Sequence, residues 1–231
     1  MAAADRDLAP VAALIGDPAR AAMLAALADG RALPAGELAR CAGVRPATAT
    51  AHLHRLVDGG LVTVRAQGRH RYHELAGPHV AEALEALARI APPAPVRSLR
   101  AHRSAAGLAE ARTCYDHLAG RRGVELRTLL LDAGALHPVD DRDHALTVDG
   151  RRLLVGLDLD PDRLGTTRRV FARHCIDWTD RRPHLAGALP AAVLGRFLTL
   201  GWVTRRAGRA VRMEPGYDEH VRRWLGNPAE R

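Results

Sequence analysis

Two cysteines and two histidines, which lie beside a repeated tetrapeptide, are the first residues in this chain that could do chemistry. The sequence His-Leu-Ala-Gly occurs at residues 117–120 and again at 184–187. Cys114 lies three residues before His117, and Cys175 lies nine residues before His184. Two thiolates and two imidazoles suit a tetrahedral zinc ion or a softer metal. These four residues are therefore candidate ligands of one metal site.

The spacing of these residues allows other interpretations. On a helix, Cys114 and His117 would share one face because they are three positions apart. Alternatively, each tetrapeptide begins a helix of a duplicated fold, with its histidine as a cap or hydrogen-bonding partner and the cysteines in the core. A thiol switch is a third interpretation, because nearby arginines lower the pKa of a cysteine and make it reactive. The arginines near the two cysteines are Arg112, Arg121, Arg122 and Arg173.

A pocket for an anionic small molecule is the fourth interpretation of this half of the chain. Guanidinium groups bind anions through paired, charge-assisted hydrogen bonds. The candidate lining residues are Arg112, Tyr115, Trp178, Arg181 and Arg182. The cofactor stays unknown from the sequence, with a zinc-like or softer metal ion as the candidate.

A second group of residues, near the N-terminus, has the composition of a surface that reads DNA. In a helix-turn-helix, the first residues of the second helix meet base edges in the major groove, so they must be small or polar. The segment RPATAT at residues 45–50 has this character. Threonine can donate to a base or a phosphate, and alanine can touch a thymine methyl group. The candidate DNA-binding residues here are Arg45, Ala47, Thr48, Thr50, His54 and Arg55.

A basic β-hairpin is predicted directly after this helix. Residues 61–75 alternate on both sides of a Gln67-Gly68 turn, which is typical of a hairpin. Its tip carries Arg65, Arg69 and Arg71. Arginines that neutralise phosphates make the affinity for DNA strongly dependent on salt.

The elements that position these residues are predicted from caps and apolar spacing. A short helix at residues 8–15 precedes a second helix, for which Asp17 is the N-cap and Pro18 the first residue. A third helix ends at Gly43, a fourth ends at the glycines 59 and 60, and a fifth covers residues 77–90. With the hairpin before the last helix, this order is typical of a winged helix-turn-helix domain.

The C-terminal half carries a degenerate internal duplication. His117 and His184 are 67 residues apart, as are Gly134 and Gly201. In each copy a helix, a glycine stop and two short strands follow one another. The first domain has the same succession in HLHRLVDGGLVTV at residues 52–64, which predicts winged-helix-like units in the second half.

These patterns predict the fold class and its division. We expect a mainly α protein with small β-hairpin wings, in which a winged helix-turn-helix domain precedes a C-terminal domain of duplicated winged-helix-like units. The proline-rich segment 92–98 is the predicted linker. The predicted limits are 1–91 for the DNA-binding and dimerisation domain and 99–231 for a sensor or regulatory domain.

Three segments in the first half resemble the ArsR/SmtB family of bacterial repressors. They are IGDPARAAMLAAL (15–27), GELARCAGVRPATATAHLHRLVDGGLV (36–62) and GRHRYHEL (68–75). The resemblance implies a homodimer, formed through the first and last helices of this domain, that binds palindromic double-stranded operator DNA. It also implies release by an effector, either a metal or a small molecule. By this resemblance Ala47, Thr48, Thr50 and His54 belong to the recognition helix, and Arg69 and Arg71 belong to the wing.

Two departures from that family separate this chain from its usual metal sensors. The segment ELARC at residues 37–41 has only the second cysteine of the family's E-L-C-x-C pattern. The last helix offers His79, Glu82 and Glu85, which do not match the family's site of aspartate and histidine. Neither usual sensor site is predicted, and Cys41 is expected to be a small buried residue. The C-terminal extension resembles a two-domain subgroup, and this resemblance supplies no ligand.

Composition limits the class of protein. The chain has 231 residues, of which 47% are hydrophobic, so it is expected to be globular. Its net charge is +8, which suits a polyanionic partner. No apolar run approaches the length of about 20 residues that a membrane span needs. The absence of a signal peptide and the three scattered cysteines predict a cytoplasmic protein that does not bind a membrane.

The function that these observations predict is sequence-specific DNA binding in the regulation of transcription, by a repressor that an effector releases. The sequence contains no dinucleotide, P-loop, zincin or nucleophile-elbow motif, so an enzyme is not expected. Two alternatives stay open, a winged-helix adaptor that binds only protein and an enzyme that uses a cysteine and histidine pair.

Overall fold

The computed structural model describes residues 6–92, 98–166 and 169–226. These residues form two compact units, of which the first ends at Leu84 and the second begins at Glu85. The division falls inside one helix, α5 (Pro78–Ile90), rather than in the predicted linker 92–98. Residues 93–97 of that linker lie outside the described residues. The predicted domain limits therefore stay a prediction.

The first unit has the element order of a winged helix-turn-helix. Asp17 caps the second helix by accepting a hydrogen bond of 2.9 Å from the backbone N–H of Arg20, and Pro18 is the first helical residue. Two strands form a hairpin, and a third short strand pairs with it in the order β1-β3-β2. The elements before α5 are α1 (Ala9–Ile15), α2 (Pro18–Leu27), β1 (Leu33–Pro34), α3 (Ala35–Ala42), α4 (Pro46–Asp58), β2 (Val62–Gln67) and β3 (His70–Leu75).

Aliphatic side chains from three helices form the core of this unit. Met23, Leu24 and Leu27 of α2 are fully buried, as are Leu38 of α3 and Leu56 of α4. Between α3 and α4, Gly43 has a φ of 65°, a left-handed conformation that glycine adopts at little cost. This sharp turn directs α4 away from α3, so that one face of α4 packs on the core and the other faces solvent.

The second unit combines helices with several small antiparallel sheets. Its core includes the buried aromatic Phe197, on which Trp202 and Trp224 pack. Its helices after α5 are α6 (Leu99–Glu110), α7 (Arg121–Asp132), α8 (Val148–Val155), α9 (Pro161–Gly165), α10 (Ala188–Thr199) and α11 (Tyr217–Leu225). Its strands are β4 (Arg112–Cys114), β5 (His117–Ala119), β6 (Leu136–Pro138), β7 (Asp143–Leu146), β8 (Ala172–Ile176), β9 (Pro183–Ala186), β10 (Val203–Arg205) and β11 (Val211–Met213).

The prediction of a mainly α protein is wrong for the second unit, and the fold is mixed α/β. The strands do not stay in separate hairpins, because β7 pairs with β8 and joins two hairpins into one sheet of order β6-β7-β8-β9. Two further pairs, β4-β5 and β10-β11, form sheets of their own. Most of these strands are only three or four residues long, so their apolar alternation was too short to recognise in the sequence.

Helices α4, α7 and α10 end with the same backbone hydrogen bonds, an arrangement that α3 shares at Gly43. After α4, α7 and α10 a glycine with positive φ follows, and these glycines are Gly60, Gly134 and Gly201. The residue after each glycine donates its N–H to the carbonyl five positions earlier, at distances of 2.9 Å in all three cases. This is the Schellman arrangement, which satisfies carbonyls that a helix end would leave unpaired. A β-hairpin and a further helix follow in each case.

No single helix in the part of the chain that the structure describes is long and apolar enough to cross a membrane. The consecutive helices α1 and α2 pass that test of length and composition only as a pair, and they are bent by 85°.

Candidate DNA interface and candidate metal centre

The first turns of α4 present small and polar side chains to solvent. Arg45 is the N-cap residue, and Ala47, Thr48 and Thr50 are exposed. Further along the helix, His54 and Arg55 are also exposed. On the opposite face, the buried residues that fix the helix on the core are Ala49, Leu53 and Leu56. The structure therefore brings the six predicted residues of this segment onto one accessible surface.

The two threonines of this surface differ in the hydrogen bonds that their hydroxyl groups make within the helix. The Thr50 hydroxyl donates a hydrogen bond of 3.1 Å to the backbone carbonyl of Pro46, one turn earlier. Its proton is thus used inside the helix, and the oxygen lone pairs face outward. We therefore expect Thr48 to contribute more as a donor to DNA than Thr50.

The three arginines of the wing, which we define as the β2-β3 hairpin at residues 62–75, are exposed but not equivalent. Arg65 forms a salt bridge with Glu74 on the neighbouring strand, in which one guanidinium nitrogen lies 2.7 and 3.0 Å from the two carboxylate oxygens. Arg71 donates two long hydrogen bonds of 3.3 Å to backbone carbonyls of the turn, and Arg69 lies at that turn. The charge of Arg65 is partly neutralised within the wing, whereas Arg69 and Arg71 carry its net positive charge.

The second site lies where two hairpins of the second unit meet. Cys114 of β4 is the direct cross-strand partner of His117 of β5. Cys175 of β8 is likewise the cross-strand partner of His184 of β9. Side chains opposite one another on antiparallel strands are close and point to the same face. Each hairpin therefore presents one thiol and one imidazole side by side, and we call these four residues the Cys2His2 cluster.

The four side chains of the Cys2His2 cluster converge on one point. The Sγ atoms of Cys114 and Cys175 are 3.9 Å apart, and the Nε2 atoms of His117 and His184 are 3.3 Å apart. One candidate ligand atom from each residue lies within 4.8 Å of the other three. Cys114 and the two histidines are buried, and Cys175 is partly exposed.

The structure corrects the predicted local conformation of both tetrapeptides. Neither copy of His-Leu-Ala-Gly begins a helix, because each histidine lies on a strand and only the glycine caps the helix that follows. Cys114 and His117 are therefore cross-strand neighbours rather than neighbours on a helix face. The glycine does permit close packing, since a Cβ at Gly187 would lie 2.5 Å from the carbonyl oxygen of Val170.

Two aspartates that the sequence analysis missed lie behind the histidines. The Nδ1 atom of His117 is 3.5 Å from a carboxylate oxygen of Asp116, and Nδ1 of His184 is 3.8 Å from Asp177. Both distances are too long for ordinary hydrogen bonds but place a negative charge beside each ring. A signal was present in the sequence, because Cys-x-Asp occurs at residues 114–116 and again at 175–177.

Of the two aspartates, Asp177 accepts the larger number of hydrogen bonds. One of its oxygens accepts hydrogen bonds from Arg112 and from the backbone N–H of Gly120, at 2.9 and 2.6 Å. The other oxygen accepts three more, from the hydroxyl and backbone N–H of Thr179 and the N–H of Asp180. Both Asp177 and Arg112 are fully buried. Asp177 thus ties its own hairpin to the end of the β4-β5 hairpin.

The two thiols of the cluster have opposite pKa shifts, and the four predicted arginines are not the cause. The hydrogen bond from Cys114, together with His117 and His184, lowers the pKa of Cys175 despite its burial. The same contact and burial raise the pKa of Cys114. The arginines are paired elsewhere, Arg121 and Arg122 with Glu110, Arg173 with Asp143 and Arg112 with Asp177.

The residues predicted for an anionic ligand are spread over different environments. Arg112 is buried on Asp177 and stacks on Trp178, with its guanidinium carbon 4.6 Å from the ring centroid. Arg112 is therefore already neutralised within the protein. Arg181 and Arg182 are exposed, and Arg182 pairs with Asp180. Tyr115 is in the turn of the first hairpin, with a φ of 58°.

Comparisons with known proteins agree with the element order of the first unit. A family described as a helix-turn-helix domain matches residues 15–65. YdfF of Bacillus subtilis (strain 168), an uncharacterized HTH-type transcriptional regulator, is 41% identical over 208 residues, which are 90% of this chain and 92% of YdfF. This chain belongs to the ArsR family of winged helix-turn-helix transcriptional regulators. The predicted DNA-binding regulator is therefore confirmed, as is the prediction that it is not an enzyme.

Several solved structures are similar to part of this ArsR-family regulator. NolR from Sinorhizobium fredii is 26% identical, with a TM-score of 0.34, and the match covers 37% of this chain and 85% of NolR. The cadmium sensor CMTR from Mycobacterium tuberculosis is 33% identical with a TM-score of 0.32, over 40% of this chain and all of CMTR. The homodimeric DNA-binding domain of Mb0332 from Mycobacterium bovis is 30% identical with a TM-score of 0.33, over 39% of this chain and 88% of that domain.

One expectation for the first unit of this ArsR-family regulator is wrong. Cys41 is exposed at the end of α3 and is not a core residue. Leu38 and Ala39 supply the buried face of this helix instead, and the helix ends at Ala42, one residue after Cys41. Cys41 is thus a solvent-accessible cysteine that is separate from the Cys2His2 cluster.

Proposed function

We propose that this regulator is a repressor that binds a palindromic operator as a homodimer, with the N-terminal end of α4 in the major groove and the wing on the phosphates. The observation that carries the proposal is the two-sided character of α4. Its buried face is aliphatic, whereas its exposed face begins with an arginine, an alanine and two threonines. Such side chains allow a helix to approach base edges closely and to form hydrogen bonds with them.

The charge of the wing supports contact with the DNA backbone. Arg69 and Arg71 lie at its exposed end, where the hairpin turns. Phosphate contacts of this kind position a protein on the duplex without reading its sequence. Arg65 is expected to contribute less, because its ion pair with Glu74 must open before it can bind phosphate.

Exposed apolar side chains on the first and last helices of the winged helix-turn-helix support the homodimer. Helix α1 has no buried residue, and Leu8 beside it is 73% exposed. On α5, Leu87 and Ile90 are 41% and 81% exposed. Leu87 and Ile90 are three positions apart on one helix and so share a face, and an exposed apolar face is typical of an interaction site. A second copy of the chain would cover these residues, as the family resemblance implies for both helices.

We further propose that the two copies in the second unit are winged-helix-like units with a common origin. Helices α7 and α10 are both 12 residues long and are 67 residues apart, as are β6 and β10. Their shared glycine stop and following hairpin also match α4 and the wing. A repeat that preserves both helix length and helix ending supports duplication of one structural unit.

The experiment that tests operator binding begins with a pool of random duplexes, from which the purified full chain selects its preferred site. Affinity for that site is then measured between about 50 and 200 mM salt. The variant R69A/R71A should weaken binding to selected and scrambled duplexes alike, because it removes phosphate contacts. In a dimer it removes up to four contacts, each worth about 0.9 in the slope of log affinity against log salt. Between about 50 and 200 mM salt, the variant should therefore lose about 150-fold less affinity than the wild type loses.

Two comparisons make this experiment decisive. R65A should reduce the salt dependence of the affinity less than R69A does. E74Q, which releases Arg65 from its ion pair, should increase that salt dependence. An unchanged slope in R69A/R71A would overturn the role of the wing. Equal affinity for selected and scrambled duplexes would overturn sequence-specific reading. Transcription by purified RNA polymerase from a promoter that contains the selected site should fall when the protein is added, and a rise would exclude repression.

A further inference from the structure

The Cys2His2 cluster has the chemistry and the geometry of a metal site. From these observations we infer that Cys114, His117, Cys175 and His184 bind one Zn²⁺ ion per chain through two sulfur and two Nε2 atoms. The site lies in the second unit and is independent of the surface that we propose for DNA.

The distances within the cluster agree with tetrahedral zinc. Zinc–sulfur bonds of about 2.3 Å and zinc–nitrogen bonds of about 2.0–2.1 Å, at tetrahedral angles, place two sulfurs about 3.8 Å apart and two nitrogens about 3.3 Å apart. The observed separations are 3.9 Å for the sulfurs and 3.3 Å for the Nε2 atoms. These two of the six distances between ligand atoms match a tetrahedral ion, and all four atoms lie within 4.8 Å of one another.

The polar atoms of the cluster point inward, and the described residues offer them few other partners. The Nε2 atoms of the two histidines face one another, and His117 and His184 are 4% and 0% exposed. With a proton on each Nδ1, beside its aspartate, the two Nε2 acceptors would face one another without a donor between them. Buried polar groups without satisfied hydrogen bonds are costly, so a cluster of this kind needs a reason to persist. A metal ion that binds both Nε2 atoms supplies one.

Asp116 and Asp177 have the positions of residues that orient metal-binding histidines. A carboxylate beside Nδ1 favours a proton on that nitrogen and leaves Nε2 free to bind the metal. Each aspartate is itself held, Asp116 by a paired contact with Arg169 and Asp177 by five donors that include Arg112. The two thiolates balance the charge of a Zn²⁺ ion, since Asp116 and Asp177 are paired with Arg169 and Arg112. We assign both aspartates as positioning residues.

The arrangement indicates a closed site rather than a catalytic one. Four protein ligands complete a tetrahedral zinc ion and leave no position for a water or a substrate. The ion would join hairpin β4-β5 to hairpin β8-β9, since each supplies one thiolate and one imidazole. Cys175 is the most exposed ligand, and it gives the ion a path into the site. Binding would therefore couple zinc concentration to the packing of the two hairpins.

The test uses Co²⁺ as a spectroscopic substitute for Zn²⁺ in the full chain, after treatment with a chelator and a reductant. Tetrahedral Co²⁺ absorbs strongly in the visible region, and its bonds to thiolates give charge-transfer bands in the near ultraviolet. We expect saturation at one Co²⁺ per chain, with the intensity of two thiolate bonds, and full displacement by one equivalent of Zn²⁺. This readout needs no variant, so it does not depend on the folding of a substituted protein.

Variants assign the ligands and have matched controls. C175S and H184Q should remove the tetrahedral spectrum, and D116N should weaken Zn²⁺ binding by about 10- to 100-fold while the spectrum is kept. C41S removes the exposed cysteine of the first unit. H144Q changes a second close histidine pair of the same unit, in which the Nε2 atoms of His144 and His174 are 3.1 Å apart. Neither control should alter the spectrum or the stoichiometry.

Three results would overturn the inference. The first is reduced wild-type protein that binds no Co²⁺ or Zn²⁺ at one equivalent. The second is a spectrum without thiolate bands, or one that C175S leaves intact. The third is a reduced protein in which bound metal leaves Cys114 and Cys175 as reactive toward a thiol reagent as they are in the metal-free state, which would show that the thiols are not ligands. Each can occur while operator binding is normal, so failure here is distinguishable from failure of the proposed function.

Discussion

The substitution Asp177→Asn tests whether one buried carboxylate holds the two hairpins of the second unit together. Asp177 accepts five hydrogen bonds, two on one oxygen and three on the other. Asparagine has the same shape but only one oxygen, and its amide NH2 donates hydrogen bonds and cannot accept them. Whichever way the amide is oriented, at least two donors lose their acceptor. In the better orientation those donors are Arg112 and the N–H of Gly120.

The expected magnitude follows from the burial of the ion pair. Removing one partner of a buried salt bridge costs about 3–5 kcal/mol, because the other charge stays in the protein without compensation. Arg112 would retain Glu85 as a neighbour, at 3.7 Å. We therefore expect a loss of about 3 kcal/mol in the free energy of unfolding of the second unit. That is a large fraction of the 5–15 kcal/mol typical of a folded domain.

Urea unfolding followed by tryptophan fluorescence measures this loss. All three tryptophans, Trp178, Trp202 and Trp224, lie in the second unit, so the signal reports on that unit alone. A chelator in the buffer keeps metal binding out of the comparison. The matched control is D149N, which removes an exposed ion pair with Arg152 and should leave the midpoint unchanged. If D177N and D149N unfold at the same urea concentration, the reasoning about this carboxylate is refuted.

Two further predictions concern the glycine before α10 and the threonines of α4. G187A should lower the free energy of unfolding of the second unit by about 1–3 kcal/mol, because Gly187 has a φ of 118° and an added Cβ would lie 2.5 Å from a carbonyl oxygen. In the same urea assay G195A, where nothing lies within 4 Å, should be neutral or stabilising, and a loss at both positions would contradict the steric argument. T48A should lower affinity for the selected duplex about tenfold relative to a scrambled one, and T50A should do so less. Equal losses for T48A and T50A in a competition titration would show that the hydrogen bond from Thr50 to Pro46 does not reduce the contribution of Thr50 to DNA binding.

Much of the first unit could be predicted from its sequence because local signals agree there with the tertiary structure. Asp17 and Pro18 mark the start of α2, and Gly43 marks the turn before α4. Cys41 was misjudged because small apolar residues fit either surface, and only the position of α3 on the core decides between them. The wing was recognisable since its strands are six residues each, long enough for alternation to show.

The second unit was harder to predict because its candidate site depends on contacts between distant segments. The four residues of the cluster were identified by type, but strands of three residues carry too little periodicity to distinguish a hairpin from a helix. The repeated Cys-x-Asp pattern marks Asp116 and Asp177 in the sequence, but it does not give their role, which depends on which nitrogen of a ring each faces. The pairing of β7 with β8 depends on residues about 30 apart, and nothing in either strand specifies its partner.

The separation of the two ligand pairs along the chain has a consequence for the unfolded protein. Cys114 and Cys175 are 61 residues apart, so an ion that holds both closes a long loop. In the chain-entropy treatment, a cross-link over a loop of this length removes about 4 kcal/mol of freedom from the denatured ensemble. A metal ion that binds reversibly would thus act as a cross-link that is present only when the metal is available. In a reducing environment, where a disulfide between these cysteines would not persist, this cross-link would still form.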